Sequence, residues 1–491
     1  MEKESRNEQK TLKNSLLVLS SIVLLASCGG GNGGGDTPKD DELWICAYNG
    51  GYGDAWLESM TKEFETKTGI KVVYRTDTSL LEKLENDLKN GSDFDLYMSH
   101  DIPWQRYAAS GYLATMDDLY ETKIDGYGDK TFKDRLVDGA AEISSLSVNG
   151  ETHYYKSCWT QGAGGFVYNA TMFQENGWSV PTTYDELVTL CQTINDAKLT
   201  VSGSREKVKP FTWSGSQRQY YWDYPVFEWW YQLAGGEKFN TIKQFKGADG
   251  SYSTGYEMYN PDTNYKEFWQ AYDMWFNLIG NNSENSVTNS ASKTLPQAQA
   301  DFILGKAAMI PYAQWAKYEL EKTAEGELGF QYAMMPTPKA TASSESVNFM
   351  VGFGDSMIIP AQSTHQDLAK KFLAYMASAD GCKTFVDKAE GAFLAFDYKD
   401  VDLSSIESKD LYTKSIHEKL SAKNINIVST NPITYLTTNK VMPWIGNTYY
   451  YDKCAADSDK SAYTSAALGK TVYETAKSGW KSWMNSAGLK D

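Results

Sequence analysis

The sequence predicts an α/β fold in which strands and helices alternate around a largely parallel sheet. Within residues 42–98, short apolar runs alternate with segments whose apolar residues recur at helical spacing, which reads as strand, helix, strand, helix, strand. The chain has 491 residues, too many for one ordinary core, so two or three domains are expected. An apolar share of 41% and a charged share of 22% are typical of a chain that folds.

The first half of the predicted sheet sets where a ligand should bind. Its strands are predicted at 42–47, 70–74 and 93–98, and its helices at 54–68 and 80–88. Gly69 follows the first helix, where a glycine commonly ends one. Ligands of parallel sheets lie beyond the carboxyl ends of the strands, which here are segments 49–53 and 99–101.

Further elements follow with the same alternation. Strands are predicted at 165–169, 307–310, 330–335 and 356–359, and helices at 187–194, 264–279 and 366–377. Thr183 and Glu186 have the spacing of a capping box at the start of one of these helices. The polar segment 281–293 is predicted to be a loop.

The N-terminal segment has the pattern of an export signal. Basic residues precede the apolar run 16–26, which is too short to span a bilayer but suits the core of a signal peptide. The run ends Leu25-Ala26-Ser27-Cys28, which resembles the lipobox of bacterial lipoproteins, where a cysteine receives lipid. We therefore expect a signal peptide over 1–27 and a flexible glycine-rich tether over 28–41. The alternative is a plain secretory signal with a chance cysteine.

Charge and cysteine spacing exclude several classes of function. The net charge is −16, which argues against a nucleic-acid partner because phosphate binding needs clustered lysine and arginine. The five cysteines after Cys28 are far apart and lack zinc or redox spacing, so no metal or other cofactor is expected. Cys158 and Cys191 are the nearest pair, but sequence leaves open whether they form a disulfide or are packed small residues.

Aromatic residues with a polar atom are abundant and clustered. The chain has 15 Trp and 33 Tyr against 19 Phe, which suits surfaces that are half apolar and half wet. Segment 213–231 holds nine aromatics: Trp213, Tyr220, Tyr221, Trp222, Tyr224, Phe227, Trp229, Trp230 and Tyr231. One face of a helix cannot bury all of them, so some should reach a ligand site.

Six segments, in order and spacing, resemble the bacterial extracellular solute-binding proteins for carbohydrates. They are FETKTGIKV at 64–72, DLYMSHD at 95–101, YN with PTTYDEL at 168–187, FILGKAAM leading to Trp315, MPTP at 335–338, and IPA at 359–361. The resemblance implies a periplasmic-binding-protein-like fold with two α/β lobes, a multi-crossover hinge and the ligand in the cleft. It also implies a monomeric, lipid-anchored component of an ABC importer on the extracytoplasmic face of the cell membrane, which binds a sugar and delivers it to the permease.

The implied hinge lets us predict lobe limits. Crossovers rich in glycine or small residues are expected at 161–165, 350–354 and 391–396. Lobe 1 would comprise 42–161 with 351–395, and lobe 2 would comprise 162–350 with 396–491. The same glycines are also compatible with ordinary turns.

The resemblance also implies a set of ligand-binding residues. Asp101 matches the family position of a carboxylate that accepts sugar hydroxyls; the alternative is a cap for the helix beginning near Pro103. Trp315 matches a stacking aromatic; the alternative is a core tryptophan. The remaining predicted ligand residues are Tyr52, Gln161, Trp213, Trp222, Tyr224, Phe353 and Trp444.

An enzyme is not expected. Four histidines and the absence of H-E-x-x-H and G-x-S-x-G patterns give no catalytic motif. Two rivals remain at this level. One is a secreted glycoside hydrolase with an aromatic cleft, and the other is a binding protein for a non-sugar solute such as a polyamine, whose charge aromatics can cage.

Overall fold

The computed structural model describes residues 42–216, 219–262, 266–350, 355–426, 454, 457–487 and 489–491. The predicted signal peptide and tether with Cys28, and the predicted ligand residues Phe353 and Trp444, lie outside the described residues. No helix within the described ranges is long and apolar enough to cross a membrane.

Helices and strands alternate along the described chain. The strands are β1 Glu42–Ala47, β2 Lys71–Thr76, β3 Leu96–Ser99, β4 Ser145–Val148, β5 Glu151–Tyr154, β6 Ser157–Cys158, β7 Thr160–Gln161, β8 Gly164–Asn169, β9 Lys209–Phe211, β10 Ala307–Ala313, β11 Tyr332–Met335, β12 Val347–Met350, β13 Ser356–Ile358, β14 Phe393–Leu394 and β15 Lys423–Asn426. The α-helices are α1 Ala55–Thr68, α2 Leu80–Asn90, α3 Trp104–Ala109, α4 Asp117–Glu121, α5 Phe132–Arg135, α6 Ala170–Asn176, α7 Tyr184–Ala197, α8 Asp223–Ala234, α9 Gly236–Lys243, α10 Lys266–Trp275, α11 Leu295–Ile303, α12 Ala316–Ala324, α13 Gln366–Met376, α14 Ala379–Lys388, α15 Ser404–Glu407, α16 Leu411–Leu420 and α17 Ser465–Ala487.

The first sheet has the strand order β2-β1-β3-β13-β6. Strand β1 is parallel to both β2 and β3, as the sequence predicts, whereas β13 pairs antiparallel with both β3 and β6. Leu43 and Ile45 of β1 are fully buried and belong to the same core as Trp56 and Phe64 of α1. Because the carboxyl ends of β1 and β3 meet at one edge, the segments that follow them lie close together.

The second sheet has the strand order β11-β8-β10-β9. Strand β10 is buried along its whole length, antiparallel to β8 and parallel to β9. It ends at Ala313, so the chain that leaves it carries Gln314 and Trp315 toward α12. The two sheets and their helices form the two-lobed α/β fold.

A short pair of strands stands where the chain passes between the sheets. Strand β7 follows β6 of the first sheet, precedes β8 of the second, and pairs antiparallel with β14. The Gln161 amide strengthens this pair by donating to the Leu394 and Phe396 carbonyls at 3.0 and 2.7 Å. The segments predicted as crossovers at 161–165 and 391–396 are therefore hydrogen-bonded side by side.

The aromatic segment 213–231 is buried more completely than one helix face allows. Every aromatic in it whose side chain is described is at most 8% exposed. Helix α8 is surrounded on several sides: the Trp230 ring lies 4.8 Å from Phe268 of α10, and Trp229 Nε1 donates to the Pro338 carbonyl at 2.7 Å. A helix that is covered by protein on all sides can bury aromatic residues on every face. The sequence pattern did not show that α8 is covered in this way.

The start of α7 forms the predicted capping box with one difference. Glu186 N donates to the Thr183 hydroxyl at 3.3 Å, as the motif requires. The return bonds come from Thr182, whose backbone N and hydroxyl both reach the Glu186 carboxylate at 2.7 Å. The second half of the box is therefore displaced by one residue.

No disulfide joins the cysteines in the described part of the chain. Cys46, Cys158, Cys191, Cys382 and Cys454 are all buried. Cys158 and Cys191, the pair closest in sequence, therefore act as packed small residues, and burial raises the pKa of the Cys46 thiol to about 11.

A buried ion pair ties α16 to α8. Lys419 Nζ lies 3.1 and 3.2 Å from the two Glu228 carboxylate oxygens and 3.0 Å from the Thr337 hydroxyl. The Phe349 backbone N donates to the same carboxylate at 2.6 Å. Both charged side chains are almost fully inaccessible to water, so each depends on the other for its solvation.

Lys419→Met should lower the free energy of unfolding by about 3–5 kcal/mol, because it leaves the Glu228 carboxylate buried without its cation. Lys423→Met is the matched control, since its ion pair with Glu345 is half exposed and should contribute less than about 1 kcal/mol. Urea denaturation measures both variants. Equal losses would contradict a special role for the buried pair.

Candidate functional site

A cleft of about 320 Å³ lies beyond the carboxyl ends of β1 and β3 and is closed on its other side by residues of the second lobe. Six aromatic side chains line it: Tyr48, Tyr52, Trp159, Tyr221, Tyr224 and Trp315. Its titratable lining residues other than tyrosine are His100, Asp101, Glu319 and Asp355. The edge at which it opens is the one that the strand order of the first sheet predicts.

Asp101 follows β3 and presents its carboxylate to the cleft. Its side chain is 84% exposed, and its Oδ2 lies 2.9 Å from His100 Nδ1, which lowers the pKa of the carboxyl. The backbone of Asp101 has φ +52°, in the left-handed region that aspartate tolerates better than most residues. Helix α3 begins after Pro103 with no side-chain cap, so the alternative role of Asp101 as a helix cap is wrong.

Tyr52 and Asp355 meet at the floor of the cleft. The Tyr52 hydroxyl lies 3.3 Å from Asp355 Oδ2 and 3.0 Å from the Thr160 hydroxyl, which itself donates to Asp355 at 3.0 Å. Desolvation raises the pKa of Asp355 to about 6. Sequence reasoning missed Asp355, although its place just after a predicted crossover is a signal that could have found it.

Trp315 forms a wall of the cleft with Tyr221. Its Nε1 donates to the Tyr221 hydroxyl at 2.9 Å, and the Tyr221 ring stacks on Tyr312 with centroids 4.6 Å apart. Trp315 is only partly buried, which argues against the alternative of a core tryptophan. Tyr312 also donates to the Glu319 carboxylate, so the polar side of this wall is fixed from behind.

Three glycines allow aromatic side chains to approach the backbone around the cleft. A Cβ on Gly51 would lie 2.8 Å from Trp315 Cβ, and one on Gly164 would lie 2.0 Å from the Tyr224 ring. A Cβ on Gly53 would lie 2.9 Å from the Tyr318 ring. The loop after β1 of the first sheet thus contacts the start of α12, the helix that follows β10 of the second sheet.

Five lining residues besides Asp355 and Tyr221 were not among the predicted ligand residues. They are Tyr48, Gly51, His100, Trp159 and Glu319. Trp159 is almost fully buried, packs edge-on against Tyr52 with centroids 5.5 Å apart, and its Nε1 has no hydrogen-bond partner among the described residues. Its place between the short strands β6 and β7 carries no sequence signal for a ligand role.

The predicted ligand residues fall into two groups. The structure brings Tyr52, Asp101, Tyr224 and Trp315 together around the cleft. It does not bring Trp213, Trp222 or Gln161 to the lining. Trp222 is fully buried, with ring centroids 5.2 Å from Phe211 and 5.6 Å from Phe166.

The two other residues outside the lining have partners of their own. Trp213 Nε1 donates to Ser286 Oγ at 3.1 Å, and the Gln161 amide donates to the paired crossover. Trp213, Trp222 and Gln161 therefore contact other parts of the protein and do not line the cleft. Ligand contact by these three residues stays a prediction. Phe353 and Trp444 lie outside the described residues.

The arrangement suits binding of a ligand with flat apolar faces and a polar rim. Aromatic faces remove C–H surface from water, and carboxylates accept hydrogen bonds from hydroxyl or amine donors. Within the described ranges, no group of three His, Cys, Asp or Glu side chains could hold a metal ion.

Comparison with known proteins gives matches over most of the chain. The family model described as "Bacterial extracellular solute-binding protein" matches residues 49–381. The multiple sugar-binding protein of Streptococcus mutans serotype c (strain ATCC 700610 / UA159) is 25% identical over 361 residues, which are 71% of this chain and 74% of that protein.

Solved structures share the fold at low sequence identity. RafE of Streptococcus pneumoniae in its apo form gives a TM-score of 0.59 at 17% identity and covers 90% of this chain and 100% of its own. RafE in complex with raffinose gives 0.55 at 18% identity, covering 88% and 99%. A solute-binding protein from Thermotoga lettingae TMO bound with α-D-tagatose gives 0.59 at 17%, covering 89% and 100%. These likenesses confirm the two-lobed α/β fold.

The different surroundings of Trp222 and Trp315 predict different losses of stability when each is replaced by alanine. Trp222→Ala should lower the free energy of unfolding by about 3–5 kcal/mol, because it opens a cavity in a close-packed core. Trp315→Ala should lose less than half of that, because the ring is already partly in water. Urea denaturation compares the two, and an equal loss would show that Trp315 is a core residue.

Proposed function

The chain belongs to the bacterial extracellular solute-binding proteins, and we propose that it binds a sugar in the cleft and delivers it to the permease of an ABC importer. Membership of this family makes the chain a substrate-binding protein and not an enzyme, which removes the glycoside hydrolase alternative.

The observation that carries the sugar proposal is the pairing of aromatic walls with carboxylates in one cleft. A sugar ring has apolar C–H patches on its faces and hydroxyls on its rim. Trp315, held by its hydrogen bond to Tyr221, would cover a face of the sugar ring. Asp101, which belongs to the first lobe, would accept hydrogen bonds from the sugar hydroxyls. The three residues line the same cleft of about 320 Å³.

The similar proteins support a sugar over a polyamine. One is named a multiple sugar-binding protein, and the two structures with ligand hold raffinose and tagatose. These ligands support a sugar as the chemical class that this chain binds.

We infer that the lobes close around the ligand by a hinge at the crossovers. The proposed lobes are 42–161 with 351–395, and 162–350 with 396–491. The pairing of β7 with β14 supports this division, because it holds two crossing segments together. The contacts of Gly51 with Trp315 and of Gly53 with Tyr318 give the closing lobes a place to meet.

We further propose that the protein works as a monomer held to the extracytoplasmic face of the membrane by lipid on Cys28. The family name places its members outside the cytoplasm, and the lipobox-like segment 25–28 supports the anchor. A tether over 28–41 would let the lobes reach the permease while the lipid stays in the bilayer.

A thermal-shift screen of mono- and oligosaccharides tests the sugar proposal. A ligand at 100 times its Kd should stabilise the protein by about 2.7 kcal/mol. Calorimetry with the best sugar should then show that Trp315→Ala and Asp101→Ala each weaken binding by at least about tenfold, since each contact is worth about 1–3 kcal/mol. Asp118→Ala is the control for Asp101, because Asp118 is also exposed and ion-paired but outside the cleft. Stabilisation by polyamines and by no sugar would contradict the proposal.

Cys28→Ser tests the anchor. The variant should lose incorporation of a radiolabelled fatty acid and should leave the membrane fraction, because serine offers no thiol for the lipid. Ser27→Ala is the matched control, since it keeps a small residue beside an intact Cys28. Unchanged labelling of Cys28→Ser would refute the lipoprotein assignment.

A further inference from the structure

The lining of the cleft carries more negative than positive charge. Asp101, Glu319 and Asp355 all line it, and His100 is the one basic side chain among its described lining residues. His100 is already engaged with Asp101 at 2.9 Å. A ligand that enters this cleft therefore meets an excess of carboxylates.

Asp355 is a lining carboxylate that accepts its side-chain hydrogen bonds from neutral hydroxyl groups. Its side-chain hydrogen bonds within the described chain come from the hydroxyls of Tyr52 and Thr160, at 3.3 and 3.0 Å. Hydroxyl donors stabilise a carboxylate but bring no positive charge. Desolvation consequently raises the pKa of Asp355, whereas His100 and Lys156 oppose that rise.

The charged groups around Asp355 do not reverse this balance. Asp101 raises the pKa of Asp355 further, in line with its like charge. Lys156 is 2% exposed, lies outside the cleft lining, and has its Nζ 5.6 Å from the Trp104 ring centroid. His100, the basic residue of the described lining, faces three carboxylates, so acidic side chains remain in excess there.

The aromatic walls favour the same kind of ligand. The face of an aromatic ring carries negative charge density and attracts a cation within about 6 Å. Trp315 is only partly buried and lines the same cleft as Asp355, with its ring centroid 6.5 Å from that of Tyr52. An aromatic face and a carboxylate in one cleft can both attract an ammonium group.

We propose that the preferred ligand is an amino sugar, whose protonated amine is held by Asp355 beside the aromatic side chains of the cleft. This inference rests on the proposed sugar-binding function and narrows its substrate class. Sugars that carry a carboxylate or phosphate would be repelled by the same lining.

Matched sugars separate the charge of the amine from the rest of the ring. Calorimetry near neutral pH would compare glucosamine with glucose and N-acetylglucosamine, and galactosamine with galactose and N-acetylgalactosamine. N-acetylation keeps the nitrogen and removes its charge. The amino sugar of at least one set should bind about tenfold or more tighter than its two neutral relatives, as expected for a charge-assisted hydrogen bond.

Asp355→Asn should abolish this preference, because it keeps the size of the side chain and removes its charge. Asp138→Asn is the control: Asp138 is exposed, lies outside the cleft lining, and its loss should leave the preference intact. Wild-type affinity for the amino sugar should also fall as the pH drops through about 6, where Asp355 takes up a proton.

The outcomes distinguish this inference from the function on which it rests. Neutral sugars that bind as tightly as the amino sugars would overturn the inference and leave sugar binding intact. A preference that survives in Asp355→Asn would also overturn it. The protein could also bind none of the six sugars and no saccharide of the wider screen, while circular dichroism shows that it is folded. That result would refute the proposed function together with the inference.

Discussion

The hydroxyl of Tyr52 is the point at which the parts of the cleft are held in position. It lies within 3.0–3.5 Å of polar atoms of Thr160, Asp355 and Gln314. Tyr52 follows a strand of the first sheet, Thr160 stands on a crossing strand, and Gln314 follows a strand of the second sheet. One hydroxyl therefore links both sheets and a crossing segment at the floor of the site. Buried polar atoms that lose such partners carry a desolvation cost, so the network favours one relative placement of these groups.

The same residue type serves the core and the site, and its surroundings decide which. Trp222 is enclosed by other aromatic rings, so its contribution is close packing. Trp315 is partly exposed, and its indole nitrogen is fixed by the Tyr221 hydroxyl. A hydrogen bond at the edge of a ring restrains its orientation and leaves the face available. This is the arrangement that a stacking contact requires, because a mobile ring would lose rotamer entropy on binding.

The sequence predicts the parallel part of the first sheet and the edge where the cleft opens, because both follow from local periodicity. Asp101 and Tyr52 fall in segments 49–53 and 99–101, which follow predicted strands, and the family resemblance implied their ligand role. Asp355 was missed because it reaches the site through a crossover more than 250 residues later in the chain, which periodicity does not show. Trp222, predicted as a ligand residue, is not among the residues that line the cleft, and periodicity does not show this either. In a run where most residues are aromatic, the pattern cannot show which rings face the core and which face the cleft.

Gly51 and Gly164 let aromatic side chains pack closely against the backbone around the cleft. Neither Gly51 nor Gly164 has a positive φ, so backbone conformation does not explain the absence of a side chain at either position. Space explains it, because a Cβ at Gly164 would overlap the Tyr224 ring and one at Gly51 would press on Trp315. Gly164 lies in a segment that the sequence marked as a possible hinge, yet here its role is close approach of a ring to the backbone. Residues without side chains thus fix how near the aromatic walls stand, and with that the width of the cleft between Trp315 and the first lobe.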